Sequence, residues 1–289
     1  MAKRRYSFDE DKIARFLKQG RGQGRGADYL PWLTIHDLSS TGLSSRLQGR
    51  KSHRVHHVLS KIERAVLMLF DWNDYVIDIR EQYPLDRAKT RAIAANMGVT
   101  SPRDRDTGVD IVMTTDFLVT ALIDGEEQDF PVACKPQSEL DNPRSIEKLE
   151  IERRFWQALG RPWRLVTEKD YPQVRVGNLE WLYEMQSLEH LEAPHPNYWS
   201  DRRDQVLHGL ASAGAVSLHR LLEQLQDRWG HQPGEGLMML RHLASTKRVA
   251  FDLNRPFDIM EPASGFQVVP ASAMPATPFA DNAEWRAAA

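Results

Sequence analysis

The chain has 289 residues with 41% hydrophobic content, a mean hydropathy of −0.52 and a formal net charge of −2, enough length for two domains with separate cores. No apolar run approaches the roughly 20 residues of a membrane span, and the start MAKRRYSFDEDK has no apolar secretory segment, so a cytoplasmic protein with no membrane attachment is expected. The one cysteine, Cys134, excludes an internal disulfide and a Cys-cluster zinc site, and the net charge hides an asymmetry: residues 1–55 carry 12 Lys and Arg against 5 Asp and Glu, residues 170–289 carry 10 against 15.

The basic leading arm suggests a polyanion partner. Within it, GRGQGRGAD (20–28) is a Gly/Arg loop and not a dinucleotide fingerprint, since no strand precedes it. It reads equally well as a phosphate-following loop or a linker. Arg21, Arg25, Arg50, Lys51 and Arg54 are the candidates for DNA contact. HHVLSKIERAVLMLFDW (56–72) reads as a helix over 58–71 with Leu59, Ile62, Val66 and Leu69 on one face. Glu63 stands beside that stripe. Ser60 and Glu63 fit a capping box in which Glu63 would bond the Ser60 backbone N–H; a ligand or catalytic role needs partners elsewhere.

VIDIREQYPL (76–85) reads as a strand ending at Pro84, and 88–100 as a helix stopping near Gly98. Residues 109–136 hold two β-rich runs around Asp124-Gly125, a hairpin signal. An amphipathic helix follows from Ser145 to Gly160, then a strand at 162–168. The expected fold class is therefore α/β, a mixed sheet flanked by helices over residues 1–168. Residues 169–177 break the pattern. Helices are expected at 178–190, 200–212, 216–229 and 234–245, and KRVAFDLNRPFDI (247–259) reads as strand, turn, strand. That order suggests a smaller, mainly helical, winged-helix-like domain over 169–260. The Pro- and Ala-rich tail, 261–289, is expected to be partly disordered or to dock on a partner.

A hairpin turn centred on Gly125–Glu126 pairs residues whose numbers sum to 251, which sets Asp116 opposite Lys135 and puts Ala133 on the same face. This is either an ordinary cross-strand ion pair or the core of a metal-dependent phosphodiesterase: carboxylates for Mg²⁺, a lysine for the attacking water and the phosphoryl oxygens. Glu63, from a helix, would be the further carboxylate. Glu81 and Gln82 are candidates to support the site from behind or simply to end a strand. Glu152 joins them as a candidate, although Glu147, Glu150 and Glu152 also suit surface pairing with Lys148, Arg153 and Arg154. His53, His56 and His57 have no metal-box spacing and are expected on a solvated or DNA-facing surface. Cys134 is expected to pack in a strand.

GRGQGRGADYLPWLT, RVHHVLSKIERAVLMLFDW, VIDIREQYPL, TTDFLV, CKP and EKLEIERRFW, in that order over roughly residues 7–170, resemble the TnsA endonuclease subunit of heteromeric cut-and-paste transposases. The resemblance implies a restriction-endonuclease-like core that uses Mg²⁺, with Mn²⁺ able to substitute. It implies hydrolysis of the non-transferred strand at the 5′ ends of the transposon. It also implies three partners: transposon-end DNA, a TnsB-like transposase that cuts and joins the 3′ ends, and a TnsC-like AAA+ ATPase regulator; when active the protein would lie with the nucleoid. Position by position, the catalytic residues would be Glu63, Asp116 and Lys135, and the metal ligands Glu63, Asp116 and the Cys134 backbone carbonyl. The chain departs from the pattern at Ala133, where related nucleases carry a polar or acidic side chain. The alternatives are a non-catalytic nuclease-fold assembly scaffold, which Ala133 favours, and a stand-alone restriction or repair endonuclease.

Overall fold

The computed structural model describes residues 7–37 and 44–270. The basic stretch 1–6 and the tail beyond 270 lie outside the described residues. The chain divides between Tyr171 and Pro172 into two compact units.

The first unit begins with helix α1 (Glu10–Lys18), capped by the Asp9 carboxylate on the Lys12 N–H. Its apolar face, Ile13 and Phe16, packs with Phe8 and Trp32. The short strands β1 (Ser45–Gln48) and β2 (Val55–Val58) form an antiparallel pair. Helix α2 (Lys61–Trp72) follows from the Ser60 cap. Then come β3 (Val76–Pro84), helix α3 (Arg87–Asn96), β4 (Thr114–Ile123), β5 (Glu126–Cys134), helix α4 (Pro143–Ala158) and β6 (Arg164–Val166). Asn142 caps α4 and Pro143 sits at its first position, where a missing N–H costs nothing, so the helix opens two residues before Ser145.

Strands β3 to β6 make one four-stranded sheet in that order. β3, β4 and β5 are antiparallel neighbours, and β6 runs parallel to β5, so the sheet is mixed. Buried residues run almost without break along β4 because both of its faces are covered. Phe117 meets Phe70 of α2. Its neighbour Leu118 projects the other way, into Ile151, Phe155 and Trp156 of α4 and Leu85 and Ala94 near α3.

The hairpin register differs from the expected one. Ile123 pairs with Glu126 and Phe117 with Val132, so the pair numbers sum to 249. Asp124 and Gly125, with φ of 52° and 85°, form the two-residue turn. Continued one step, this register sets Asp116 opposite Ala133. A shift of two residues leaves every side chain on its expected face. Asp116 and Lys135 are therefore diagonal neighbours, not directly opposed.

The second unit holds helices α5 (Gln173–Tyr183), α6 (Tyr198–Ser212), α7 (Leu218–Trp229) and α8 (Glu235–Ser245). Val206, Leu210, Leu221, Leu225, Met239 and Leu243 fill its core. The segment 247–259 does not form a hairpin with itself. Only β7 (Val249–Ala250) is a strand, and it pairs with β8 (Gln267–Val268). The Asn178 side-chain amide donates to the Leu253 and Arg255 carbonyls at 2.8 and 2.7 Å, and Pro256 has no N–H to offer, so the second expected strand loses its pairing groups. The ribbon closes instead with residues assigned above to the tail, and Ala263 and Phe266 are buried in this core. Helices followed by a small ribbon keep the winged-helix-like order.

Candidate active site

Glu63 lies in the first turn of α2 and is 5% exposed. Its backbone N–H donates to the Ser60 hydroxyl oxygen at 3.1 Å. Its carboxylate closes the cap differently from the simple box: Oε2 accepts from the Leu59 N–H at 2.9 Å, and Oε1 accepts from the Ser60 hydroxyl at 2.9 Å. Burial, with the negative charge of Asp116 added, raises its pKa from 4.5 to about 7 against those hydrogen bonds. The group is thus both a cap and one of a pair of interior carboxylates.

Asp116 sits near the start of β4. Its Oδ2 accepts from the Cys134 N–H at 2.7 Å and from the Lys135 ammonium at 3.0 Å. The same ammonium donates to the Cys134 carbonyl at 2.9 Å. One cation is therefore shared by Asp116 Oδ2 and the Cys134 oxygen. Burial works against the charge of Lys135, but Asp116, Glu152 and Glu63 outweigh it and its pKa is raised. Cys134 itself is a buried free thiol, and burial pushes its pKa up, which suits packing and not nucleophilic work.

Gln82 joins the two carboxylates. Its Nε2 lies 3.5 Å from Glu63 Oε2 and 3.4 Å from Asp116 Oδ1, while its Oε1 accepts from the Thr114 hydroxyl at 3.0 Å. Of the two readings of Glu152, supporting group or surface ion pair, the surface one does not hold: the residue is interior at 5% exposure and accepts from Trp163 Nε1 at 3.0 Å. Burial first, then Asp116, raises its pKa to about 7. Its helix neighbour Glu150 pairs with Arg153 and Arg154 as expected, whereas Glu147 pairs with Arg144 and not with the basic residues expected for that row. Among the described residues no group of three or more His, Cys, Asp and Glu side chains is placed to hold a metal ion. The oxygen donors brought together are two carboxylates and the Cys134 carbonyl, while the Gln82 amide presents its nitrogen to the carboxylates and its oxygen to Thr114.

Glu81 points away from this centre. Its carboxylate accepts from Arg54 Nη1 and Nη2 at 2.7 and 2.5 Å, from the His57 N–H at 3.0 Å, and bonds His56 Nδ1 at 2.8 Å. Burial alone would raise its pKa, but His56 and Arg54 reverse this and hold it well below the usual carboxylate range. His56 Nε2 in turn bonds the Ser52 hydroxyl at 2.7 Å. Gly49 fits here because a Cβ would come within 2.5 Å of both of those atoms. His56 is therefore fully buried, not on a DNA-facing surface. The alternation in VHHV was a usable signal, since it turns His56 and Val58 inward together.

The basic candidates divide. Arg54 is spent on Glu81, with 9% of its side chain exposed. Arg21 stacks on Phe16, donates to the Trp32 carbonyl and pairs with Asp37 at 2.7 Å. Arg25, half exposed, pairs with Glu127 and Asp78. Arg50 and Lys51 donate their backbone N–H groups to Asp71, and the Arg50 guanidinium lies over Trp72. The Gly/Arg loop is a built structure: the Gly22 N–H donates to the Leu30 carbonyl and the Leu30 N–H to the Gln23 carbonyl, and Gly22 lies so close to Pro84 that a Cβ would stand 2.2 Å from its ring.

A carboxylate from a helix, another from a strand and a lysine beside it thus lie together at one end of a mixed sheet. Residues 73–168 match the family model described as TnsA-like endonuclease N terminal, and residues 170–253 match TnsA endonuclease C terminal. The chain is 39% identical over 261 residues to the transposon Tn7 transposition protein TnsA of Escherichia coli, covering 89% of this chain and 91% of that one. The chain belongs to the TnsA family. The N-terminal TnsA model begins after α2, so Glu63 lies outside it, while Gln82, Asp116, Lys135 and Glu152 lie inside it. The alignment with the Escherichia coli TnsA is long enough to take in most of both units.

Proposed function

We propose that the protein is the endonuclease subunit of a transposition machine, and that it hydrolyses the non-transferred strand at the 5′ ends of the transposon in a Mg²⁺-dependent reaction. The observation that carries the reading is the convergence of Glu63, Gln82, Asp116 and Lys135 at one end of the sheet. Family membership and the name of the relative support the biological setting.

The donor set fits a hard divalent cation. All the available ligands are oxygens, and Mg²⁺ commonly takes only one or two carboxylates with water and substrate phosphate. The raised pKa of Glu63 comes first from its burial and then from the charge of Asp116 beside it, which is the setting of a buried carboxylate pair that a cation would relieve. Glu63, Asp116 and the Cys134 carbonyl would hold the ion. When bound, it supplies Lewis acidity toward the scissile phosphate and acidifies a water. The Cys134 N–H fixes Asp116 Oδ2, which leaves Oδ1 turned toward Gln82 and Glu63. The Lys135 ammonium, held beside Asp116, orients the attacking water and offsets charge on the phosphoryl oxygens. The water oxygen would bond to phosphorus and give up a proton to solvent as the phosphorus–oxygen bond to the leaving strand breaks, and the departing oxygen would take a proton from water.

Transposon-end DNA, a TnsB-like transposase and a TnsC-like AAA+ ATPase are the partners this reading requires. The test is 5′-end nicking of a transposon-end substrate with those partners and Mg²⁺. Asp116→Ala and Lys135→Ala should abolish nicking while 3′-end cutting by the transposase persists. Wild-type nicking by the Asp116→Ala protein would overturn the assignment. Equal cutting of linear DNA by the purified chain alone would favour a stand-alone nuclease.

A further inference from the structure

Gln82 has a conformation that the sheet does not ask for. The β3–β4 ladder pairs Glu81 with Phe117 and Tyr83 with Thr115 but skips Gln82, which stands across from Asp116. Its φ is 49°, in the left-handed region that glycine and asparagine enter far more easily than glutamine. The N-terminal segment holds it there from outside the sheet: the Trp32 N–H donates to the Gln82 carbonyl at 3.2 Å, and the Tyr29 hydroxyl donates to the Glu81 carbonyl at 3.0 Å. Backbone strain fixed by several independent contacts is a reason to look for a role. Here the outcome of the distortion is that one buried amide end lies near two carboxylates at once.

Those two contacts, 3.4 and 3.5 Å, are too long to be good hydrogen bonds. The strong bond of this amide is the one to Thr114. The two ends of a carboxamide exchange places by a half-turn about its last torsion. That turn brings the oxygen to where Nε2 now stands, between Glu63 and Asp116. The Thr114 hydroxyl both donates and accepts, so it stays paired with the amide nitrogen. The facing position on β5 is Ala133, which has no side-chain donor.

We propose that Gln82 is the third side-chain oxygen ligand of the divalent cation, supplied from β3 in place of a ligand at position 133. The inference rests on the metal-dependent reading above. It makes the N-terminal segment, through Trp32 and Tyr29, part of what positions the metal site.

The test is titration of Mn²⁺ into the DNA-free full-length protein, with free Mn²⁺ read by electron paramagnetic resonance; Mn²⁺ is used because it binds such sites more tightly than Mg²⁺. Thermal unfolding in chelator is measured alongside. Gln82→Gly should weaken Mn²⁺ binding about tenfold or more, as loss of a metal-site group does. Its unfolding midpoint should be at or above that of the wild type, because glycine adopts the positive φ freely. Gln82→Glu keeps an oxygen and adds a charge, so it should bind Mn²⁺ at least as tightly as the wild type. Equal binding by the Gln82→Gly and wild-type proteins would overturn the inference and leave the proposed function standing. Loss of binding in both variants with lowered midpoints would assign Gln82 a purely structural role and overturn it too. If the wild type binds no Mn²⁺, or Asp116→Ala does not weaken binding, the metal site itself fails and the inference with it.

Discussion

Glu63→Gln should destroy nicking and yet make the metal-free protein more stable at pH 8. The folded protein holds the Glu63 proton to about pH 7, whereas the unfolded chain releases it near 4.5. A carboxylate with a raised folded-state pKa contributes its full stability below about pH 4.5 and loses it as the pH rises through 7. From 4.5 to about 7 the cost is about 3 kcal/mol, at roughly 1.4 kcal/mol for each pH step. Glutamine has the same shape and no charge, so it escapes this cost. It gives back about 1 kcal/mol, because its one oxygen keeps only a neutral bond from the Leu59 N–H and the Ser60 hydroxyl must turn to accept from the new amide N–H. The net gain at pH 8 is about 2 kcal/mol, or about 4–8 °C in midpoint for a unit of this size. At pH 4.5 the gain should disappear, since the wild-type group is then protonated in the fold. The assay is thermal unfolding in chelator, followed by near-ultraviolet circular dichroism at both pH values. A midpoint below the wild type at pH 8, or one raised equally at both pH values, would refute the reasoning.

Ala133→Glu should place a third acidic side chain against Asp116 in the interior, lowering the midpoint in chelator at pH 8 by at least about 1 kcal/mol and restoring it with Mn²⁺; no recovery with the metal would mean that the new group pairs with Lys135 instead. Glu81→Gln leaves Arg54 buried with a weakened partner, and a loss of about 3 kcal/mol in denaturant unfolding is expected; a loss under about 1 kcal/mol would show that the cluster does not anchor the β1–β2 pair. Deleting residues 172–289 should abolish capture of the ATPase regulator in a pull-down, and undiminished capture would place that contact on the first unit.

Much of the first unit was legible because its signals are local. The Ser60 cap, the Asp124-Gly125 turn and the apolar periods of α2 and α4 each act within a few residues. The hairpin register was missed by two because the turn lies on Asp124–Gly125 and not one residue later. The shared face of Asp116 and Lys135 survived, because side-chain direction repeats every two residues. What local sequence does not carry is the long-range pairing. Nothing near 253–256 shows that Asn178 takes the carbonyls a second strand would need. The burial of Arg54 and His56 depends on Glu81, some 25 residues away. The sequence leaves Glu152 open between an exposed ion-paired row and a group behind the site, and only the fold places Trp163 on it.

Adjacent residues on β3 do opposite electrostatic work. Glu81 is satisfied by Arg54, His56 and the His57 N–H, and its charge is locked in place. Gln82, one residue on and turned by its positive φ, lies between Glu63 and Asp116, in a site where burial, with the charge of Asp116 added, raises the pKa of both Glu63 and Glu152 to about 7. The positive charge shared there is Lys135, and it lies across Asp116 and the Cys134 carbonyl. A neutral amide at 82 and an alanine at 133 keep the site from growing more negative still. On the proposed reading this sets the metal affinity. With two carboxylates and a competing ammonium, the DNA-free protein should hold Mg²⁺ weakly and one ion at most. The scissile phosphate would complete the coordination. Cleavage then waits for a DNA end to be delivered, which is what a nuclease acting inside a larger assembly needs. Calorimetric titration of Mg²⁺ into the DNA-free protein decides it: two tight sites would contradict this account of the charges.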